Sequence, residues 1–323
     1  MTNFTIVLSH ELAALRMDRG LRQQFARGEM HRVVRGAYIR TAEFTALDSD
    51  ARYRARVAAV SRLLPDTQFS GDSAAALWRL PCLGKWPDLV HAASPRQSGG
   101  RSGALVQRHG IGLDPNATQI DGITLTSLAR TLAEIACGPS FARAVGMLDD
   151  GLRQPVPGEF RSGRTAPTRE QVIGELESLG RIAGRARAAR AIDFADPASG
   201  SLGETVSRVQ MLALGIPLPE IQVPFYDRLG LIGITDFYWR ELGLIGEFDG
   251  HSKYGDRRRF DTHLTAEEVL VAEKEREDRL RAVAGGIVRW GWRVAMNRPE
   301  LGALLEARGL RGRRRGGFDR KRA

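Results

Sequence analysis

The runs Ile232-Gly233-Ile234-Thr235-Asp236-Phe237-Tyr238-Trp239 and Leu242-Gly243-Leu244-Ile245-Gly246-Glu247-Phe248-Asp249-Gly250 decide how this chain is read. Two apolar, β-branched and aromatic runs flanking a tight turn near 240–243 predict an antiparallel hairpin. With the turn centred between Glu241 and Leu242, Asp236 falls opposite Glu247. Side chains two residues apart share a strand face, so Glu247 and Asp249 point the same way. Three carboxylates then converge in an otherwise apolar hairpin, and a one-residue slip would undo the convergence. Crowded buried carboxylates are costly unless paired or metal-bound. A hard divalent cation would resolve the repulsion, and Mg²⁺ is usually held by one or two carboxylates plus water. Such an ion generates hydroxide and stabilises a phosphoryl leaving group. In the competing reading the three acids lie on a solvated strand face, although Asp is disfavoured in strand interiors.

The flanking sequence extends this pattern. Ser201-Leu202-Gly203-Glu204 opens an amphipathic helix that Gly215 ends, and Ile221-Gln222-Val223-Pro224-Phe225 reads as a strand. Beyond the hairpin come Lys253-Tyr254, a charged helical run Glu273-Lys274-Glu275-Arg276-Glu277-Asp278-Arg279-Leu280, and a closing strand Ile287-Val288-Arg289-Trp290. Over residues 200–295 these motifs resemble the PD-(D/E)xK nuclease superfamily, most closely its branch similar to very-short-patch-repair endonucleases. The resemblance implies a restriction-endonuclease-like α/β/α core, Mg²⁺ (or Mn²⁺) at Asp236 with Glu247 or Asp249, and phosphodiester hydrolysis. The superfamily's usual lysine, two residues after the acid, is replaced here by Asp249. Lys253 is the first choice to supply that charge and Lys274 the second. Glu204 has two readings: a metal-site acid, or the glutamate of a Ser-x-x-Glu capping box. His251 reads as a loop histidine or a local ligand.

At the other end, residues 5–40 read as helix, helix and hairpin. Leu8, Leu12 and Leu15 recur at helical spacing after the candidate N-cap Ser9, and Asp18 is a candidate cap for a second helix ending at Gly28. His31 to Arg40 reads as two strands pivoting on Gly36, the outline of a winged helix. Its second helix would present Arg19, Arg22 and Gln23 to DNA, and its wing Arg32 and Arg35. Arg32-Val33-Val34-Arg35-Gly36-Ala37-Tyr38 is similar to the N-terminal winged-helix domain of AbiEi-type antitoxins and related transcriptional regulators. Ser73-Ala74-Ala75-Ala76-Leu77-Trp78-Arg79-Leu80-Pro81 and Thr126-Ser127-Leu128-Ala129-Arg130-Thr131-Leu132-Ala133 resemble segments of the same group. Over about residues 5–150 the resemblance implies DNA binding, and it brings a toxin protein into view as a partner.

Composition narrows the function classes. The 323 residues carry 48 Lys+Arg against 38 Asp+Glu, a formal charge of +10. Residues 308–323 hold eight basic side chains and Asp319, so +7 of that charge belongs to the tail and +3 to the rest. A Gly-rich basic tail without periodicity reads as disordered and suited to tracking phosphates. Only Lys85, Lys253, Lys274 and Lys321 are lysines, and lysine, unlike arginine, can lose its proton. Cys82 and Cys137 are too few for a disulfide framework or a four-cysteine zinc site. No window offers about 20 consecutive apolar residues, and the N-terminus lacks a signal pattern, so no membrane association and a cytoplasmic address are expected. His91 and His109 stand isolated, without ligand spacing.

The expected organisation is α/β. It comprises an N-terminal winged helix-turn-helix (1–50), a mixed α/β middle domain (51–154), a Pro/Gly-rich linker (155–167), a nuclease-like domain (168–307) and a basic tail (308–323). The expected function is a DNA-binding, metal-dependent endonuclease. The alternative is a non-enzymatic antitoxin-like regulator with a degenerate nuclease fold.

Overall fold

A computed structural model describes residues 4–98, 100, 102–154, 164–250 and 266–312. The chain is α/β and divides into two compact units, Met1–Pro197 and Ala198–Ala323. The N-terminal unit begins with β1 (Val7–Leu8), α1 (Ser9–Ala14), α2 (Asp18–Ala26), β2 (Met30–Val34) and β3 (Ala37–Arg40). These strands form a sheet in the order β1-β3-β2. A two-residue turn, Arg35-Gly36, joins β2 to β3, with Gly36 at φ 91° where a side chain would strain the backbone. Ser9 and Asp18 are first helical residues rather than caps: the Ser9 hydroxyl donates to the Gly36 carbonyl at 3.4 Å, and Asp18 pairs with Arg22. Leu8, Val33, Ala37 and Ile39 close a small core with Ala55 and Ala59. Those alanines belong to α4 (Ser49–Leu63), which follows α3 (Thr41–Thr45).

A second core is built around the fully buried Phe69. It involves α5 (Gly71–Leu77), β4 (Val90–Ala93), β5 (Val106–His109), β6 (Thr118–Ile120) and β7 (Ile123–Leu125). Phe69 bridges Ala92 of β4 and Leu125 of β7, and β4 runs parallel to β5. The unit ends in four helices: α6 (Leu128–Ala136), α7 (Phe141–Leu152), α8 (Arg169–Ser178) and α9 (Arg185–Phe194). The Thr168–Gln171 capping box that opens α8 is complete.

The boundary falls at Pro197, not at 155–167. Helices α8 and α9, expected to begin the nuclease-like domain, instead bury Val172, Leu176, Ala188, Ala191 and Ile192 within the N-terminal unit. Arg169 donates to the carbonyls of Asp193 and Ala195 at 2.9 and 2.7 Å. Even the end of the expected linker is anchored, since Arg164 donates to the Asp150 carbonyl at 2.7 Å and Ala166 is buried. Residues 155–163 lie outside the described ones. Composition misled here because a Pro/Gly-rich stretch does not say which unit the helix after it packs into. The basic run 181–190 likewise commits charge to caps: Arg185 donates to the Gly180 carbonyl and Arg187 to that of Cys137.

The C-terminal unit comprises α10 (Leu202–Leu214), β8 (Glu220–Asp227), β9 (Gly230–Trp239), β10 (Leu244–Asp249), α11 (Ala266–Val283), β11 (Gly286–Gly291), α12 (Trp292–Ala295) and α13 (Arg298–Glu306). The sheet order is β11-β10-β9-β8. β8, β9 and β10 run antiparallel, and β11 joins β10 in parallel after the α11 crossover. On one face Trp290 donates from Nε1 to the Ser207 hydroxyl of α10 at 2.8 Å. On the other, Ile232, Ile245 and Ile287 pack against Leu280 of α11. Gly203 of α10 sits against the Phe248 ring so closely that any Cβ would overlap it. Gly203→Ala is therefore expected to destabilise this unit by about 2 kcal/mol despite the better helix propensity of Ala. A wild-type denaturation midpoint would show that the ring moves aside freely.

Candidate functional site

The hairpin register is the one read from the sequence. Leu244 faces Trp239, Ile245 faces Tyr238 and Gly246 faces Phe237. One step further sets Glu247 across from Asp236, and the Phe248 backbone N–H donates to Asp236 Oδ2 at 2.7 Å. Strand alternation places Asp236, Glu247 and Asp249 on the face that carries Ile245 and α11. Arg289 joins them, because β11 pairs Arg289 with Glu247 in parallel register. Asp236, Glu247, Asp249, Glu273, Arg276 and Arg289 all line one cavity of about 540 Å³.

The electrostatics of this cavity differ from the expected metal cradle. Glu247 is buried and both of its oxygens are bonded: Oε1 accepts from Arg276 at 2.8 Å and Oε2 from Arg289 Nε at 2.7 Å. The same guanidinium groups hold Glu273, through Arg276 Nε at 2.9 Å and an Arg289 terminal nitrogen at 3.0 Å. Arg289 also reaches Glu277 at 2.9 Å. Burial works against the charged form of Glu273, but the bonds and charge of Arg276 and Arg289 outweigh it and hold its carboxyl below the ordinary range. Burial also opposes the charge on Arg276, which its two carboxylate partners raise instead. A carboxylate whose oxygens are both bonded to arginine is a poor ligand for Mg²⁺. Among the described residues no three acidic, histidine or cysteine side chains form a set able to hold a metal ion. As arranged, the described residues do not fit the divalent cation that the superfamily resemblance implies. In this structure Glu247 is the centre of an arginine fork.

The other expected residues are placed as follows. Glu204 does not line the cavity. Its backbone N–H donates to the Ser201 hydroxyl at 3.2 Å, and its Oε2 accepts from the Gly200 backbone N–H at 2.7 Å and Gln222 at 2.9 Å. Its carboxylate closes the turn entering α10 on the Gly200 N–H rather than completing a capping box on Ser201. Lys274 is exposed on α11 and does not line the cavity, whereas Glu273 and Arg276 do. Lys253 and His251 lie outside the described residues. Trp290 packs between strand and helix, as its bond to Ser207 requires.

The sequence reading missed the partners of Glu247. Arg276 and Arg289 lie 29 and 42 residues from it. Their only local signal was the excess of charge on 273–281. A second long-range clamp joins α11 to the sheet: Arg279 donates to both Asp227 oxygens at 2.8 Å. Those bonds lower the Asp227 carboxyl to about 2. A depressed folded-state pKa stabilises above the unfolded value and is lost as pH falls through the folded one. Asp227→Asn should therefore remove part of the acid sensitivity between about pH 4 and 2, read from the acid-unfolding midpoint. An unchanged acid limb would show the clamp to be inert.

In the N-terminal unit, Arg19, Arg22, Gln23, Arg32 and Arg35 are all exposed. The Arg22 pair with Asp18, at 2.5 Å, has 81% and 31% of the two side chains exposed, and such a pair is weak and easily exchanged. Arg32 lies over the Phe25 ring, 5.8 Å from its centroid. The basic tail beyond residue 312 lies outside the described residues.

Among the described residues no helix is long and apolar enough to cross a membrane. No family model matches the chain. It is 30% identical over 131 residues to two curated proteins of Mycobacterium tuberculosis, Rv2248 and MT2308, each described as uncharacterized. The similarity covers 41% of this chain and 45% of each relative, so the matched stretch spans less than half of either protein.

Proposed function

We propose that this protein is a DNA-binding regulator of the antitoxin-like kind, with a C-terminal unit shaped like a nuclease whose described residues, as arranged, form no metal site. The observation that supports DNA binding is the exposure of Arg19, Arg22, Gln23, Arg32 and Arg35 on α2 and the β2–β3 hairpin. Arginines there would contact phosphates and base edges, with Gln23 as a reader of adenine. Arg19→Ala/Arg22→Ala/Arg32→Ala is expected to weaken duplex binding by about tenfold or more at physiological salt. It should also lower the slope of log affinity against log salt by about three. Gel-shift titrations at several salt concentrations check this. Equal slopes for variant and wild type would remove these residues from the interface.

A second reading is favoured by one observation, the placement of Asp236, Glu247 and Asp249 on a single sheet face lining a common cavity. In that reading the unit is a divalent-metal-dependent endonuclease and Asp236 is indispensable. Nicking of plasmid DNA by the purified chain with Mg²⁺ or Mn²⁺, abolished in Asp236→Ala, would establish it. Binding without cleavage under the same conditions supports the regulator.

A further inference from the structure

We propose that the N-terminal unit holds a second ligand site, a cavity of about 420 Å³ that takes a small organic carboxylate. Its size lies in the range of small-molecule pockets. Elements distant in sequence build it: α5 contributes Asp72, β4 and β5 contribute His91 and His109, α6 contributes Glu134, and α7 contributes Arg143. Lys85 stands at its exposed rim.

The charge of the ligand follows from which groups are already committed. Glu134 accepts from Arg130 Nε and from the Gly71 backbone N–H, both at 2.8 Å. Asp72 is bonded to Arg143 and faces His91 Nδ1 at 3.7 Å. Arg143 is itself engaged, donating also to the carbonyls of Leu83 and Lys85 at 3.1 and 3.0 Å. Its guanidinium lies 5.2 Å from the centroid of the Trp86 ring. Both acids are thus satisfied. The imidazoles are not: among the described residues neither makes a ring hydrogen bond, His91 Nδ1 standing 3.7 Å from Asp72, and His109 Nε2 is buried without a partner. Lys85 Nζ likewise has no partner among them. Both carboxylates and Arg143 are committed to each other or to the protein, whereas His109 Nε2 and Lys85 Nζ are left without partners among the described residues, so the complement is an anion.

The remaining wall, with Ile111, Ile135 and Pro139, is apolar. An inorganic anion would leave that wall empty, whereas an organic acid fills it with its hydrocarbon body. The two rings meet edge to face with centroids 4.9 Å apart, and both residues line the cavity. Burial keeps both imidazoles below their ordinary pKa, with Asp72 opposing it, so they rest neutral. A carboxylate arriving beside them would draw a proton onto the pair, and binding should therefore tighten as pH falls from 7.5 to 6.

The test is a histidine-ring NMR titration of the full chain with benzoate, phenylacetate and hexanoate, using His91→Gln and His109→Gln to assign the signals. Inorganic sulfate and benzamide are the controls. At least one carboxylate is expected to shift the His91 and His109 signals saturably. Benzamide should bind at least fivefold more weakly, and Lys85→Met should lose about fivefold in affinity. Lys85→Met is expected to melt as wild type, since Lys85 is exposed and its Nζ has no partner among the described residues. No saturable shift with any of the three acids overturns the site. Benzamide binding as well as benzoate, or sulfate binding as well as either, overturns the ligand class.

Discussion

Arg130→Met is expected to destabilise the N-terminal unit by about 3 kcal/mol at pH 8, and by less at pH 5. Arg130 and Glu134 lie one turn apart on α6, with 5% of each side chain exposed. Arg130 also donates to the Ile111 carbonyl at 3.0 Å and to Ser178 at 3.2 Å, tying α6 to the loop after β5 and to α8. Removing the guanidinium leaves those acceptors and a buried carboxyl without their partner. Burial already pushes Glu134 up to about 7, against the Gly71 N–H and Arg130, which favour its charged form. A carboxyl whose folded pKa exceeds its unfolded value binds a proton more tightly when folded. Its contribution is therefore full below the unfolded pKa and is lost as pH rises through about 7. The wild type should lose stability between about pH 4.5 and 7, by on the order of 2–3 kcal/mol. In Arg130→Met the loss should continue above pH 7, because the unpaired carboxyl is harder to ionise. Glu134→Gln should flatten the profile. Urea midpoints at pH 5, 6.5 and 8 decide the matter, and parallel profiles for all three proteins would contradict it.

The second large effect concerns the arginine fork. Arg276→Gln/Arg289→Gln is expected to destabilise the C-terminal unit by about 3 kcal/mol at neutral pH, because Glu247 stays buried without compensating charge. Adding Glu247→Gln should recover a substantial part of that loss, since a buried amide costs less than a buried anion. The same proteins separate the two functional readings. If the three acids form a metal site once released, Arg276→Gln/Arg289→Gln will bind Mn²⁺ in an EPR titration and Asp236→Asn will abolish the binding. On the regulator reading neither the wild type nor the double variant retains Mn²⁺, and DNA affinity stays unchanged. A double variant as stable as wild type would show that Glu247 does not depend on its arginines.

Much of the local structure was legible in the linear sequence because its causes are short-ranged. The two-residue strand period and the tight turn after Trp239 determine the β9–β10 register, and with it the shared face of Asp236, Glu247 and Asp249. Thr168 and Gln171 announce the start of α8 through a box that needs only four residues. Gly215 ends α10 in the left-handed region for the same local reason.

What the acids do on that face was decided elsewhere. Arg276 arrives on a helix and Arg289 on a parallel strand, and neither approach is encoded in spacing around Glu247. His91 and His109 look isolated in sequence because they lie 18 positions apart, but the parallel β4–β5 pairing sets their rings edge to face. The domain boundary followed the same rule: Pro and Gly around residue 160 mark a break in periodicity, but only the packing of α8 and α9 determines which unit owns them. Backbone turns and strand alternation cost or gain free energy within a few residues, so the sequence alone suffices to place them. Ion pairing, burial and cavity formation depend on groups brought together by the whole fold, and only the tertiary structure determines those.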